Sequence, residues 1–369
     1  MAFISGSRMA RIDRDRLISM AGMALLFLAV GIELVVLATW GRDTLRVWFD
    51  PDTHGYGDFK VFYRNARTYS LNNVYSPGLG VLMHPLTWMG MRAAFAVYFG
   101  VNVAALLGVA AIAQAGVRSP VAKAAVMLGV LALPQTHWAL RVGHFTEVLA
   151  FSALAGLLLA DRRPILAGVL IAMLALKPQY LPLPLIYLLF TRNWRAFGVA
   201  VGGLGGLAVA GVIASALREP SGLGMFAYTA HYFVEKIPDL ARYATVGQGD
   251  ANYTQSWQYS WYGFLVSLDV DRNPLVAGML TGLSLLAVAA AWLRCSPTVA
   301  KVATALGMLL IVPHTTFYNW SMLSVAFALL LHADLRPRWL VPTLAAGVAI
   351  AAAATQQATP WPLPVDRFR

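Results

Sequence analysis

The chain has 369 residues, of which 59% are hydrophobic and 12% charged, with a net charge of +11 and a mean hydropathy of +0.63. A soluble globular domain carries about twice that charged share, so the composition excludes a cytosolic enzyme, a DNA-binding domain and a disordered scaffold. The positive charge then speaks for membrane orientation and against a nucleic-acid partner, while the lone Cys295 excludes an intrachain disulfide and a cysteine-built zinc site.

The first apolar run, residues 17–40, is long enough to cross a bilayer. Arg8, Arg11, Arg14 and Arg16 precede it. A cleaved signal peptide has a shorter apolar core, so a retained first helix with a cytoplasmic N-terminus is expected. Residues 41–92 then form a first long outer loop. In it Phe59, Phe62, Tyr63 and Ala66 recur at i, i+3, i+4, i+7, and Lys60, Arg64 and Arg67 fall opposite. That periodicity predicts an amphipathic helix, expected to lie on the membrane with its basic face toward lipid phosphate. Asp58 stands at its start, either as an N-cap or as a general base held at the surface. Asp50, Asp52 and His54, like Asp269 and Asp271, read as turns rather than as a divalent-ion site.

Further apolar runs cover 93–115, 120–138, 145–160, 164–176, 181–191, 196–216, 274–293, 299–313, 317–332 and 336–355. Together they predict an all-α polytopic membrane protein of about 10–12 transmembrane helices. Residues 77–91 are short and bounded by prolines, and 254–268 are rich in aromatics; neither is counted as a crossing. With that assignment Arg118, Lys123, Arg162, Arg163, Arg192, Arg195, Arg294, Lys301, Arg336 and Arg338 fall in short loops on the side of the N-terminus. The positive-inside rule makes that side cytoplasmic. The expectation is one transmembrane domain over residues 1–369 in the plasma (inner) membrane, with 41–92 and 217–273 outside and the active site on the outer face.

The runs 164–176 and 181–191 are too short, at 1.5 Å per residue, for a core of ~30 Å. Lys177, Pro178, Gln179 and Tyr180 lie between them. A lysine there needs a cavity or an anion, or it snorkels from a helix end. The runs 299–313 and 317–332 repeat the design, with His314, Tyr318 and Asn319 at the tip. These breaks predict a polar cavity opening outward. His137, Arg141, His144 and Glu147 share one face if 137–147 is one continuous helix, and Gly143 is where it would break. The spacing is not HExxH, and no P-loop, GxGxxG or GxSxG is present, so a cytoplasmic nucleotide has no visible home.

GDFKVFYRNA, followed by VYSPGLGVLMHPL, resembles the first-loop signature of the GT-C glycosyltransferases that use polyprenyl-phosphate sugars. LAGVLIAMLALKPQYLPLPLIYLLFTRNWRA and VPHTTFYNW are similar to later segments of glycosyltransferase family 87, the polyprenyl-phosphate-mannose-dependent mannosyltransferases and their arabinofuranosyltransferase relatives. The chain departs from that family at Gly143-His144-Phe145-Thr146, where members often carry Gly-Gln-x-Asn, and at Ser76-Pro77, where a double proline is common. The resemblance implies Asp58 as the catalytic aspartate and Lys177 near the lipid phosphate, joined there by Arg64, Arg141 and His144. It implies sugar or acceptor contacts for Tyr63, Tyr75, Gln179, His314, Tyr318 and Asn319. The expected partners are a polyprenyl-phosphate sugar (mannose, with arabinofuranose the alternative), a lipid or glycan acceptor, and membrane lipids. No cofactor and no metal are expected. A single carboxylate fits one displacement with inversion. The competing reading is a transporter or flippase of a lipid-linked glycan or anionic solute, because broken helices around a polar cavity also build transporters.

Overall fold

In a computed structural model, residues 56–68, 77–117, 120–131, 133–218, 274–312 and 317–332 are described, with a few isolated positions besides. The described residues are helical and include no strand. The expectations for most of 17–40, for 254–268 and for 336–355 lie outside them. Helix α1 is Gly57–Thr68, α2 is Pro77–Met83 with a 3-10 turn His84–Trp88 after it, α3 is Met91–Ala115, α4 Pro120–Leu131 and α5 Pro134–Arg141. Then come α6 Thr146–Leu159, α7 Pro164–Ala172, the 3-10 turns Met173–Leu176 and Pro178–Tyr180, α8 Pro182–Phe190 and α9 Trp194–Ala216. After residue 273 follow α10 Pro274–Arg294, α11 Pro297–Leu310, a 3-10 turn Phe317–Met322 and α12 Leu323–Leu331. This is an all-α polytopic membrane protein.

Proline sets many of the boundaries. Pro134, Pro164, Pro182 and Pro297 each open a helix, where the missing N–H is harmless and the fixed φ is helical. The single run expected over 120–138 is therefore two helices, because the residue before Pro134 is driven out of the helical region. Leu133 has ψ 123°. The apolar stretch 77–91 becomes α2 and a 3-10 turn, neither long enough to cross.

Among the described residues α3, α9 and α10 are long and apolar enough to cross a membrane. They keep Val97, Val101, Leu107, Val201, Val209, Leu275, Met279, Leu283 and Leu286 exposed. Such a continuous apolar exterior would be a liability in water and suits acyl chains. The interior is built around α6 and α7, where Leu149, Leu154, Leu157 and Ile171 are fully buried. Helix α9 packs on α7 and α2. A Cβ on Gly203 would stand 2.6 Å from Ala172 Cβ, and one on Gly211 would stand 2.4 Å from the Pro77 backbone. Where lipid is as apolar as leucine, such small residues permit the close approach that holds helices together.

The amphipathic helix of the first loop is present as α1, but its apolar face does not meet lipid. Phe59 sits 5.3 Å from Phe95 and 4.9 Å from Tyr98, ring to ring, and Phe62 sits 5.2 Å from Phe145. Edge-to-face and tilted aromatic contacts add to the burial itself, so α1 is anchored to the bundle.

The bundle has two chemically distinct ends. Helix α6 spans about 21 Å at 1.5 Å per residue. At its C-terminal end Lys301 Nζ pairs with Asp161 at 2.9 Å. Nearby, Asn193 accepts from Ala196 N at 3.3 Å to cap α9 and donates its amide N–H to Ala160 O. Arg162, Arg163, Arg192 and Arg195 are exposed in these turns. Basic residues expected on one side from separate loops thus gather at one end of α6. The candidate site lies at the other.

Candidate functional site

Two glycines join the first loop to the start of α6. Gly57 has φ +53° and Gly143 φ +66°, values glycine reaches without penalty. Their backbones interlock: Asp58 N–H donates to Val142 O at 2.6 Å, and Tyr98 Oη donates to Gly143 O at 3.0 Å. A Cβ on Gly57 would stand 2.3 Å from Val142 O, and one on Gly143 would stand 2.9 Å from Tyr56 O. Gly57→Ala is therefore expected to lower the thermal midpoint in detergent and to reduce activity, since the left-handed conformation alone costs an alanine ~1–2 kcal/mol. Gly129→Ala, inside α4 and with open space for its Cβ, should not lower the midpoint and can raise it slightly.

The turn at Val142–Phe145 ends α5 and restarts the chain as α6. His137, Arg141, His144 and Glu147 are accordingly not one face of one helix. Arg141 turns its guanidinium over the Trp138 ring at 5.1 Å. His144 is fully buried, stacked on Phe145 at 4.5 Å and edge-on to Phe62 at 5.9 Å. Glu147, in the first turn of α6, is fully buried beside the hydroxyl of Ser321.

A polar chain runs from His144 to Lys177. His144 Nδ1 lies 2.6 Å from Thr146 Oγ1. Thr146 Oγ1 reaches Asn319 Oδ1 at 3.5 Å, and Lys177 Nζ donates to the same oxygen at 2.9 Å. Lys177 occupies the break between two 3-10 turns, with φ −131° and ψ 79°. Its ammonium also lies 5.8 Å from the Tyr180 ring, a cation–π distance.

Asp58 sits inside the first turn of α1 rather than ahead of it, where the helix dipole favours a carboxylate. It is half-buried. Removal from water pushes its carboxyl up to about 6, and the positive charge of Lys177 pulls against that rise. The backbone bond to Val142 O brings Asp58 to the turn that carries His144, and the polar chain links that turn to Asn319 and Lys177. Other predicted residues are placed differently. Tyr63 is buried and donates to Met89 O at 2.7 Å. Arg64 is exposed on the outer face of α1, and Gln179 is half-buried in the turn after Lys177. Tyr75, His314 and the Tyr318 side chain lie outside the described residues. Thr146 stands where the chain departs from the family pattern, Gly143-His144-Phe145-Thr146, and that mismatch is the one sequence signal that points to it. Among the described residues no group of three His, Cys, Asp or Glu side chains could hold a metal ion.

The model of glycosyltransferase family 87 matches residues 73–313, more than half of the chain. His144, Thr146 and Lys177 fall inside that span, Asp58 precedes it and Asn319 follows it. Comparison with curated proteins and with solved structures gives no match.

Proposed function

The chain belongs to glycosyltransferase family 87, and from that premise we propose that it moves mannose from a polyprenyl-phosphate donor to a lipid or glycan acceptor on the non-cytoplasmic face of the plasma membrane. That it is a membrane glycosyltransferase follows from the family and its apolar helices; donor, acceptor and residue roles are our reading.

A polyprenyl-phosphate sugar carries its own leaving group, so the site needs no nucleotide. It needs a base for the acceptor hydroxyl and a cation for the departing phosphate. In the proposed step the acceptor oxygen attacks the anomeric carbon and its proton passes to Asp58. The bond from that carbon to the phosphate oxygen breaks, its electron pair stays with the phosphate, and the configuration inverts. Lys177 offsets the developing phosphate charge, with Arg141 and His144 as further donors toward the phosphate; Arg64, exposed on the outer face of α1, is left out of that role. Tyr75, Gln179, His314 and Tyr318 are assigned to the sugar and acceptor, while Tyr63, whose hydroxyl is given to Met89 O, is left to anchor α1. One observation supports the reading: Asp58 is tied by its backbone N–H to Val142 O at 2.6 Å, two residues from His144, whose polar chain runs through Thr146 and Asn319 to Lys177, although these residues are far apart in the chain. A base with its acidity near 6 is ionised at neutral pH yet basic enough to take a proton.

The test is to incubate purified protein with polyprenyl-phosphate mannose or polyprenyl-phosphate arabinofuranose and candidate acceptors, following free polyprenyl phosphate by mass spectrometry. Release is expected from the mannose donor and only with acceptor present. Release from the arabinofuranose donor alone would reassign the sugar. Movement of labelled donor across liposomes with no new glycosidic bond would replace the enzyme by a flippase.

A further inference from the structure

Asn319 lies in the 3-10 turn Phe317–Met322 and is fully buried. Lysine carries donors only, so the Asn319 atom 2.9 Å from Lys177 Nζ must be the amide oxygen, which fixes how the amide is turned. The same oxygen stands 3.5 Å from Thr146 Oγ1. One acceptor thereby gathers a side chain from the break after α7 and another from the start of α6. The lysine side chain is long and has many rotamers. Buried to 3% exposure, its ammonium needs an oxygen to hold it in one of them. The aromatic face of Tyr180, 5.8 Å away, adds a cation–π attraction.

We propose that Asn319 is a positioning residue that holds the Lys177 ammonium in reach of Asp58 and of the donor phosphate, and that it acts through Lys177 rather than on the sugar. This rests on the polyprenyl-phosphate reading above, and it replaces the sugar or acceptor contact that the resemblance implies for Asn319.

The test is a double-mutant cycle on purified protein in lipid nanodiscs, reading kcat/KM for polyprenyl-phosphate mannose and the pH at which activity is half-lost on the acid side. Asn319→Ala alone should lower kcat/KM about 10–100-fold, the range for losing a hydrogen bond to a charged group. In a Lys177→Met background the same change should alter the residual rate by less than about twofold, because the residue acts through a group already gone. Asn319→Ala should also move the acid limb to higher pH, as a displaced ammonium stabilises the Asp58 carboxylate less. Asn319→Gln keeps an uncharged acceptor oxygen one methylene further from the backbone. It should retain more activity than Asn319→Ala, within about tenfold of wild type above the acid limb. Multiplying losses for Asn319→Ala and Lys177→Met would overturn the proposal, and so would an Asn319→Gln variant as inactive as Lys177→Met. If Asn319→Ala is not recovered folded, Asn319→Gln decides alone. A wild-type protein inert toward every polyprenyl-phosphate sugar would instead remove the underlying reading and the proposal with it.

Discussion

Asp58→Asn leaves the protein inserted in the membrane and lowers sugar transfer about 10²–10⁴-fold, the range for deleting a positioned base. The amide is nearly isosteric with the carboxyl and keeps the backbone N–H that reaches Val142 O, so α1 stays docked on the bundle. Lys177 loses a counter-charge but keeps Asn319 Oδ1, which sustains the local fold. Wild-type activity has a matching pH dependence. The carboxyl is raised to about 6 by burial, and only the deprotonated form can accept the acceptor's proton. Activity therefore rises with pH through about 6 and falls below it, and the variant's residual activity lacks that limb. Purified variant assayed for free polyprenyl phosphate between pH 5 and 8 checks both points, with roughly equal yields in membranes as the control for folding. Retained activity would take Asp58 out of the mechanism.

Lys177→Met lowers transfer about 10²–10³-fold, as expected when one preorganised charge on a transition-state oxygen is removed. Methionine matches the stem of the lysine and avoids leaving a void in the packed break between the 3-10 turns. The informative readout is the acid limb of the residual activity. Lys177 is the group that lowers the Asp58 carboxyl. Without it only the desolvation remains, and the limb moves above its wild-type position. A purely structural lysine would reduce yield or thermal midpoint without shifting the limb. A limb that stays in place while activity collapses would mean that Lys177 and Asp58 do not share one pocket.

Hydropathy alone was enough to recognise an all-α membrane protein and to locate most of its described helices. The expected run 93–115 is helix α3, Met91–Ala115, and 196–216 is α9, Trp194–Ala216. These are local properties: burial in lipid demands an unbroken apolar helix, and proline marks where one must begin. The periodicity of α1 identified its apolar face correctly, with Phe59, Phe62, Tyr63 and Ala66 buried. It could not say what covers that face, because a lipid tail and a protein interior are equally apolar. Continuity across 137–147 was a similar limit, since the left-handed turn at Gly143 is visible only in the backbone.

The sequence by itself determined the class of the molecule, the breaks in its helices and, through residues resembling a family, the identities of an aspartate and a lysine. Only the tertiary structure decided that Asp58 is tied through its backbone to the turn that carries His144, and that Thr146 and Asn319 stand between His144 and Lys177. Composition and periodicity are summed over neighbours in the chain. The backbone lock between Gly57 and Val142 and the shared oxygen of Asn319 join segments remote in sequence, and their geometry exists only once α1, α6 and the two broken helices have packed.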